Sequence, residues 1–196
     1  MPRVVDHALR RQDLAAALWR VVRDEGIQQV SVRSVAAAAG TSPSALRHYF
    51  RSQDELLEFA LEAMVARVRD RVIPMLPTLS GRHGALRLLE QLLPMDAERR
   101  DEVAVYFAFL GRSLADPGLT AIRDDAEAQS REAVRLAVEL LAEAGGLGPD
   151  RDVDAETDRF YPMMDGLALH GAFWPDRYPP AHLRSVLEAH LEELAR

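Results

Sequence analysis

The sequence predicts an all-α protein. An N-terminal three-helix unit containing a helix-turn-helix is joined through a long fourth helix to a C-terminal helical bundle, about nine helices in all. Three observations carry that expectation. Helix start and stop signals crowd between Ser31 and Leu57. Elsewhere apolar residues recur three and four apart, the period of a helix with one buried face, and no segment shows the two-residue alternation of a half-buried strand. Proline and glycine fall between these segments, which leaves short connections. The division expected is residues 1–52 for the first unit, with the motif at about 31–50, and 53–196 for the second.

Residues 1–7 carry no pattern, and Arg3 among them is a further arginine available to DNA. The first helix is expected at about 8–24, with Leu14, Leu18, Val21 and Val22 on one face and Glu25-Gly26 closing it. Trp19 falls off that stripe and suits a partly buried packing residue better than a stacking platform. Ser31 can accept a hydrogen bond from the orphan amides of a second helix, about 32–39. Gly40 follows an alanine run, where a left-handed residue ends a helix without a Cβ clash. Ser42 followed by Pro43 is an N-cap with proline at the first helical position, so a short third helix restarts at once, about 43–49. Leu46 and Phe50 would anchor it. Two helices held at a steep angle by a short glycine turn form a helix-turn-helix, whose second helix can enter a DNA major groove.

Ser52-Gln53-Asp54-Glu55 is a capping box that opens the fourth helix, about 53–75, whose apolar face runs from Leu56 to Val72. A fifth helix is expected at about 83–93, and Pro94 and Asp96 separate it from a sixth at about 97–115. The sixth contains Tyr106-Phe107-Ala108-Phe109-Leu110, apolar all round and therefore expected to be buried. Asp116-Pro117 caps a seventh helix that ends near Ala144. The glycine-rich run after it has no preceding strand and no following Lys-Ser/Thr, which argues against a phosphate-binding loop. The eighth helix, about 155–173, offers Gly166 and Gly171 as small contact points, and the ninth runs from near Pro180 almost to the end.

The net charge of −7 is unevenly spread. Residues 1–53 hold eight arginines against four acids, about +4, whereas the remainder holds sixteen against twenty-seven, −11. A basic segment on an acidic body suits a protein of which one face meets phosphates. All 24 basic residues are arginine, throughout the chain, which reflects genome composition more readily than function. There is no cysteine, so disulfides and cysteine-based zinc sites are excluded. With no apolar run of membrane-spanning length and no signal-peptide pattern, the expected location is cytoplasmic, with no membrane partner.

Val35-Ala36, Ala39-Gly40, Leu46, Tyr49-Phe50 and Leu56-Leu57, with Arg11 to Leu18 and Glu25-Gly26 upstream, resemble the signature of the TetR family of bacterial transcriptional repressors. The motif match covers roughly the first quarter of the chain; beyond it the resemblance is one of size and helical layout. It implies a DNA-binding repressor released from its operator by a small-molecule effector held in the helical body. Packing of Leu46 and Phe50 leaves Ser44, Ala45, Arg47 and His48 toward the groove, with Thr41 and Ser42 at its mouth. Arg47 is expected to read a guanine, worth ~1–3 kcal/mol of base discrimination, or else to hold a phosphate, which would affect all sequences alike. Arg33 is a phosphate contact or simply an exposed arginine. The resemblance makes His48 and Tyr49 backbone contacts, with a half-buried core tyrosine as the competing reading. Two departures stand out. The family commonly has an aromatic where Arg47 stands, so a base preference does not carry over. It commonly has lysine at the position of Gln53, which can donate to a phosphate but lacks the charge that strengthens salt dependence.

The resemblance also implies that the last two helices pair across a dimer, with Gly166, Leu167, Leu187 and Leu191 at the interface. Physics agrees independently, since one helix-turn-helix reads a half-site and a two-fold dimer places two of them about 34–36 Å apart. A homodimer on a near-palindromic operator in double-stranded DNA follows. Met64, Tyr106, Phe109, Met164 and Trp174 are candidates to line the effector cavity, although such residues are more often ordinary core. Asp165 sits on a largely apolar helix and would meet a cationic effector or an arginine across the dimer. His170, His182 and His190 have no metal-ligand spacing, so neither a metal nor a cofactor is expected. The alternatives are a DNA-binding dimer without an effector, a non-specific architectural protein, and an all-helical enzyme, for which no nucleophile–base constellation is present.

Overall fold

Local capping bonds set the N-terminal unit. The computed structural model describes residues 7–196, with side chains from residue 11 onward; Arg3 lies outside the described residues. Helix α1 (His7–Glu25) ends at Gly26 and a 3-10 turn, followed by α2 (Val32–Ala38) and α3 (Pro43–Leu46). Ser31 Oγ accepts from Ser34 N at 3.1 Å, and Ser34 Oγ accepts from Ser31 N at 3.0 Å. Gly40 takes φ +62°, which lets Thr41 N donate to Ala36 O at 2.9 Å and turn the chain out of α2. Ser42 Oγ accepts from Ala45 N at 3.1 Å to start α3.

α3 is shorter than expected. Its α-helical part stops at Leu46, because the amides of His48 and Tyr49 donate to carbonyls three residues back, Ala45 at 3.3 Å and Leu46 at 2.9 Å. The last turn thus tightens, as helix ends commonly do. α4 (Gln53–Val72) opens with Ser52 Oγ accepting from Glu55 N at 3.1 Å. The reciprocal arm of the box reaches one residue further, since the Glu55 carboxylate accepts from Arg51 N at 2.6 Å. α4 ends at Val72 and not near 75: Pro74 has no amide to continue the ladder, and the chain runs on as a 3-10 turn over Ile73–Thr78. The N-terminal core joins Leu14, Leu18, Val35, Leu46 and Phe50 to Leu56, Phe59 and Ala60 of α4 and one residue of the sixth helix, Val105. Trp19 is buried in it.

The body comprises α5 (Gly81–Leu89), α6 (Ala97–Ser113), α7 (Thr120–Glu143), α8 (Val153–Phe173) and α9 (Pro180–Leu194). Among the described residues all regular structure is helical, nine α-helices and their 3-10 extensions. Asp96 and Asp152 cap α6 and α8, accepting from Arg99 N at 2.8 Å and Ala155 N at 2.9 Å. Asp116 accepts from Gly118 N at 2.8 Å and so caps a 3-10 turn that precedes α7. The body core is built on Leu88, Leu89, Leu93, Val134, Val138, Leu141 and Phe160, closed by the α9 stripe Leu183, Leu187, Leu191 and Leu194.

Two expectations fail here. In the aromatic run of α6 only Phe109 is fully buried, and Tyr106, Phe107, Ala108 and Leu110 are partly open. The reason is that Tyr106 borders a cavity and Phe107 reaches a different part of the core. Leu187 and Leu191 are not interface residues but fully buried core within one chain. The α9 stripe that looked available for a partner is consumed by the chain's own body. Leu167 is half-buried against the same core. Gly166 faces open space, whereas Gly171 is the tight contact: a Cβ there would lie 2.7 Å from both Leu183 Cδ1 and Pro94 Cγ.

Leu187→Ala therefore removes core atoms and should lower unfolding stability by about 2–5 kcal/mol in urea titrations. Unchanged stability with altered oligomerisation would restore the interface reading.

Candidate DNA-binding surface and effector cavity

The surface of α3 is assembled by burial of its opposite side. Leu46 and Phe50 are buried, and the Phe50 ring lies 4.9 Å from that of Phe59 on α4. That leaves Ser42, Ser44, Arg47, His48 and Tyr49 exposed, with Thr41 and Ala45 half-buried beside them. Arg47 makes no ion pair with any described residue, and neither does the exposed Arg33 of α2. Ser42 already spends its hydroxyl as an acceptor on the helix cap. Gln53 departs further from the expected role. Its amide donates to Val30 O at 2.6 Å and ties the start of α4 to the segment before α2, so its side chain is committed within the protein. Arg51, missed from the sequence, is exposed and without an ion pair among the described residues, between α3 and α4. Its position just before the capping box was the available signal.

Within the body, a chamber of about 70 Å³ lies between α4, α6, α7 and α8. Met64, Tyr106, Met164 and Asp165 line it, together with Tyr161, Gln91, Arg99 and Glu102, which the sequence reading did not select. Tyr161 and Asp165 are four apart on α8 and so share a face, a signal that could have found Tyr161. Phe109 and Trp174 do not belong to this chamber. Phe109 packs against Leu61, Leu119 and Ala126, and Trp174 stands 52% exposed beside Phe173 and His170 at the end of α8.

The charged groups of the chamber are unequal. Arg99 is engaged by Asp96 at 2.8 Å and by the Glu90 carbonyl at 3.0 Å. Glu102 is held by Arg71 at 2.7 and 2.8 Å. Asp165 makes no hydrogen bond or ion pair with any described residue. Burial, reinforced by the charge of Glu127, pushes its carboxyl up to about 6. The Tyr106 and Tyr161 hydroxyls lie 3.4 Å apart, and burial raises both phenols above their ordinary value.

The chamber adjoins a rigid seam between α4 and α6. Arg67 pairs with Glu98, lies 3.5 Å from Glu102, and places its guanidinium 4.6 Å from the centre of the Trp19 ring on α1. At the other end of the seam, Arg112 grips Asp54 at 2.5 and 3.1 Å. A helix-turn-helix with exposed, uncommitted arginines therefore sits on a helix pair that also walls a polar chamber.

A model of the bacterial regulatory proteins of the tetR family matches residues 14–60, and one of the C-terminal region of BetI-type transcriptional repressors matches residues 81–196. The chain belongs to the TetR family of bacterial transcriptional regulators. The HTH-type transcriptional regulator PksA of Bacillus subtilis (strain 168) is 33% identical over 195 residues, 99% of this chain and 94% of that protein. A transcriptional regulator from Rhodococcus sp. Rha1 superposes with a TM-score of 0.77 at 29% identity, covering 94% of this chain and 95% of the other. A regulator from Saccharomonospora viridis, solved in complex with choline, shares the fold with a TM-score of 0.82 at 24% identity, over 94% and 96% of the two chains. The N-terminal match, residues 14–60, contains the α2–α3 helix-turn-helix. No helix among the described residues is long and apolar enough to cross a membrane.

The unpaired Asp165 has a measurable signature. Its folded carboxyl keeps a proton up to about pH 6, while the unfolded one releases it near 3.8, so the folded state binds more protons in that window and loses stability as pH rises through it. Asp165→Asn removes the penalty of a partly buried charge. Its Tm should exceed that of the wild type at about pH 7.5 and converge with it below about pH 4.

Proposed function

We propose a cytoplasmic, homodimeric repressor. Two copies of α3 bind a near-palindromic operator, and a cationic small molecule in the body releases them. Residues 1–52 carry DNA recognition and 53–196 carry effector binding and dimerisation. The observation that supports an effector is the Asp165 carboxylate, which lines a chamber without a cation of its own while every other charged group there is paired. The choline held by the Saccharomonospora viridis regulator of the same fold is consistent with that chemistry.

Arg47 is the residue proposed to read a base, with Ser44 and Ala45 beside it. Arg33, Thr41, His48, Tyr49 and Arg51 serve the backbone. Ser42 and Gln53 act indirectly, by capping α3 and by fixing the start of α4. For the dimer, the outer face of α8 and α9 is proposed in place of the buried leucines: Gly166, Leu169, Phe173 and Val186, which are partly or fully open. The effector acts only through its different affinity for the DNA-bound and released states. The seam of Glu102, Arg67 and Arg71 with Trp19 supplies a continuous path from chamber to DNA-binding unit.

The test is fluorescence anisotropy on DNA taken from beside the protein's own coding region, with scrambled DNA as the control. The native fragment should bind at least ~10³-fold tighter than scrambled DNA, and Arg47→Ala should remove ~1–3 kcal/mol of that discrimination. Equal loss on both DNAs would reassign Arg47 to a phosphate, and equal wild-type affinity for both would refute sequence-specific binding to that fragment.

A further inference from the structure

The inner chamber is not closed. It shares Met64, Val68, Leu92, Tyr106 and Ser130 with a second, larger recess of about 490 Å³ between α4 and α7. The two differ in chemistry. The inner one gathers Asp165, two tyrosine hydroxyls, Gln91 and the paired ends of Arg99 and Glu102. The outer one is walled mainly by aliphatic side chains, Val65, Val72, Ile73, Leu88 and Ala133 beyond the shared Val68, with Arg69, Gln129 and Glu132 exposed at its border. Along α4 this apolar strip runs from Val65 to Ile73, roughly 12 Å at the helical rise.

Size separates the roles as well. With about 10–15 Å³ of such space needed per water molecule, the inner chamber holds a head group of only a few heavy atoms. The outer recess is of ordinary ligand-pocket size. A compact cation would fill the first and leave the second open to water, with Ile73 54% exposed at its end.

We infer that the effector of this protein is an amphiphilic cation: an amine or quaternary ammonium head facing Asp165, with a single apolar tail lying along Val65, Val68, Val72 and Ile73. The inference rests on the reading of the chamber as an effector site and narrows the ligand beyond a compact cation. Asp165 fixes which end enters first. Tyr106, common to both recesses, marks the junction between head and tail. A buried tail contributes through apolar area, at about a three- to fourfold gain in affinity per methylene that leaves water.

Calorimetric titration of the full chain tests it. The probes are choline, butyltrimethylammonium and decyltrimethylammonium, the last kept below its micelle-forming concentration, with decanol and decanoate as uncharged-head and anionic-head counterparts. Decyltrimethylammonium should bind at least ~30-fold tighter than choline, with butyltrimethylammonium between them. Decanol and decanoate should bind more weakly than the tailed cation, and Asp165→Asn should weaken both cations by a similar factor. Ala133→Phe, which puts a ring in the outer recess, should erase the gain from the tail while leaving choline affinity unchanged. Affinity independent of tail length would overturn the amphiphile inference and leave the cationic chamber standing. Binding of none of the cations, with operator binding intact, would overturn both. Tail-dependent binding that ignores Asp165→Asn would overturn the assignment of the head.

Discussion

Glu102 is the constraint on which the arrangement of this protein depends. It is a carboxylate buried on α6, and Arg71 of α4 grips both its oxygens at 2.7 and 2.8 Å. Arg67, one turn earlier on α4, lies against the same group and stacks its guanidinium over Trp19 of α1. Removing one partner of such a pair leaves an uncompensated buried charge, worth about 3–5 kcal/mol, so α4 cannot slide along α6 without a substantial cost. Asp54 and Arg112 fix the same two helices at the DNA-proximal end. The N-terminal unit is thereby held at a defined angle to the body through charge pairs as well as apolar packing.

The chamber is built against that seam, and its chemistry reverses the rule followed there. Glu102 and Arg99 are paired, but Asp165 is not, and its raised carboxyl records the cost of leaving it so. A buried ionisable group without a partner is costly unless something else supplies one. A cation bound at Asp165 would meet walls made by α4 and α6 themselves, through Met64 and Val68 of α4 and Glu102 of α6, the last held by Arg71. On the proposed reading, a shift it causes in α6 would reach α4 and, through the contact of Arg67 with Trp19, the core beneath α3.

The helix-turn-helix was legible because its determinants are local. Ser31, Gly40, Ser42-Pro43 and Ser52 each state a start or stop within a few residues of where it acts, and the structure uses all of them. Membership of the TetR family followed from the same residues. The body was less legible because apolar spacing identifies a buried face without saying what buries it. Leu187 and Leu191 have the spacing of an interface and the burial of a core. Phe109 and Trp174 are aromatic, yet one fills a small satellite cluster and the other points outward, and neither reaches the chamber. Gln53 faced DNA by analogy with a lysine, but its shorter amide reaches the Val30 carbonyl. Asp165 was visible because it is the one acid in the apolar stretch of α8 from Phe160 to Phe173, which is informative whatever the packing.

The most direct test of the account is the coupling between chamber and DNA in Arg67→Ala, a residue that touches neither operator nor Asp165. Operator affinity would be measured with and without saturating cation, choline or decyltrimethylammonium, in wild type and variant. The wild type should show a coupling of about 5–150-fold. In the variant, both ligands should still bind but the coupling factor should fall toward one. An undiminished factor would contradict the route through Arg67 and Trp19.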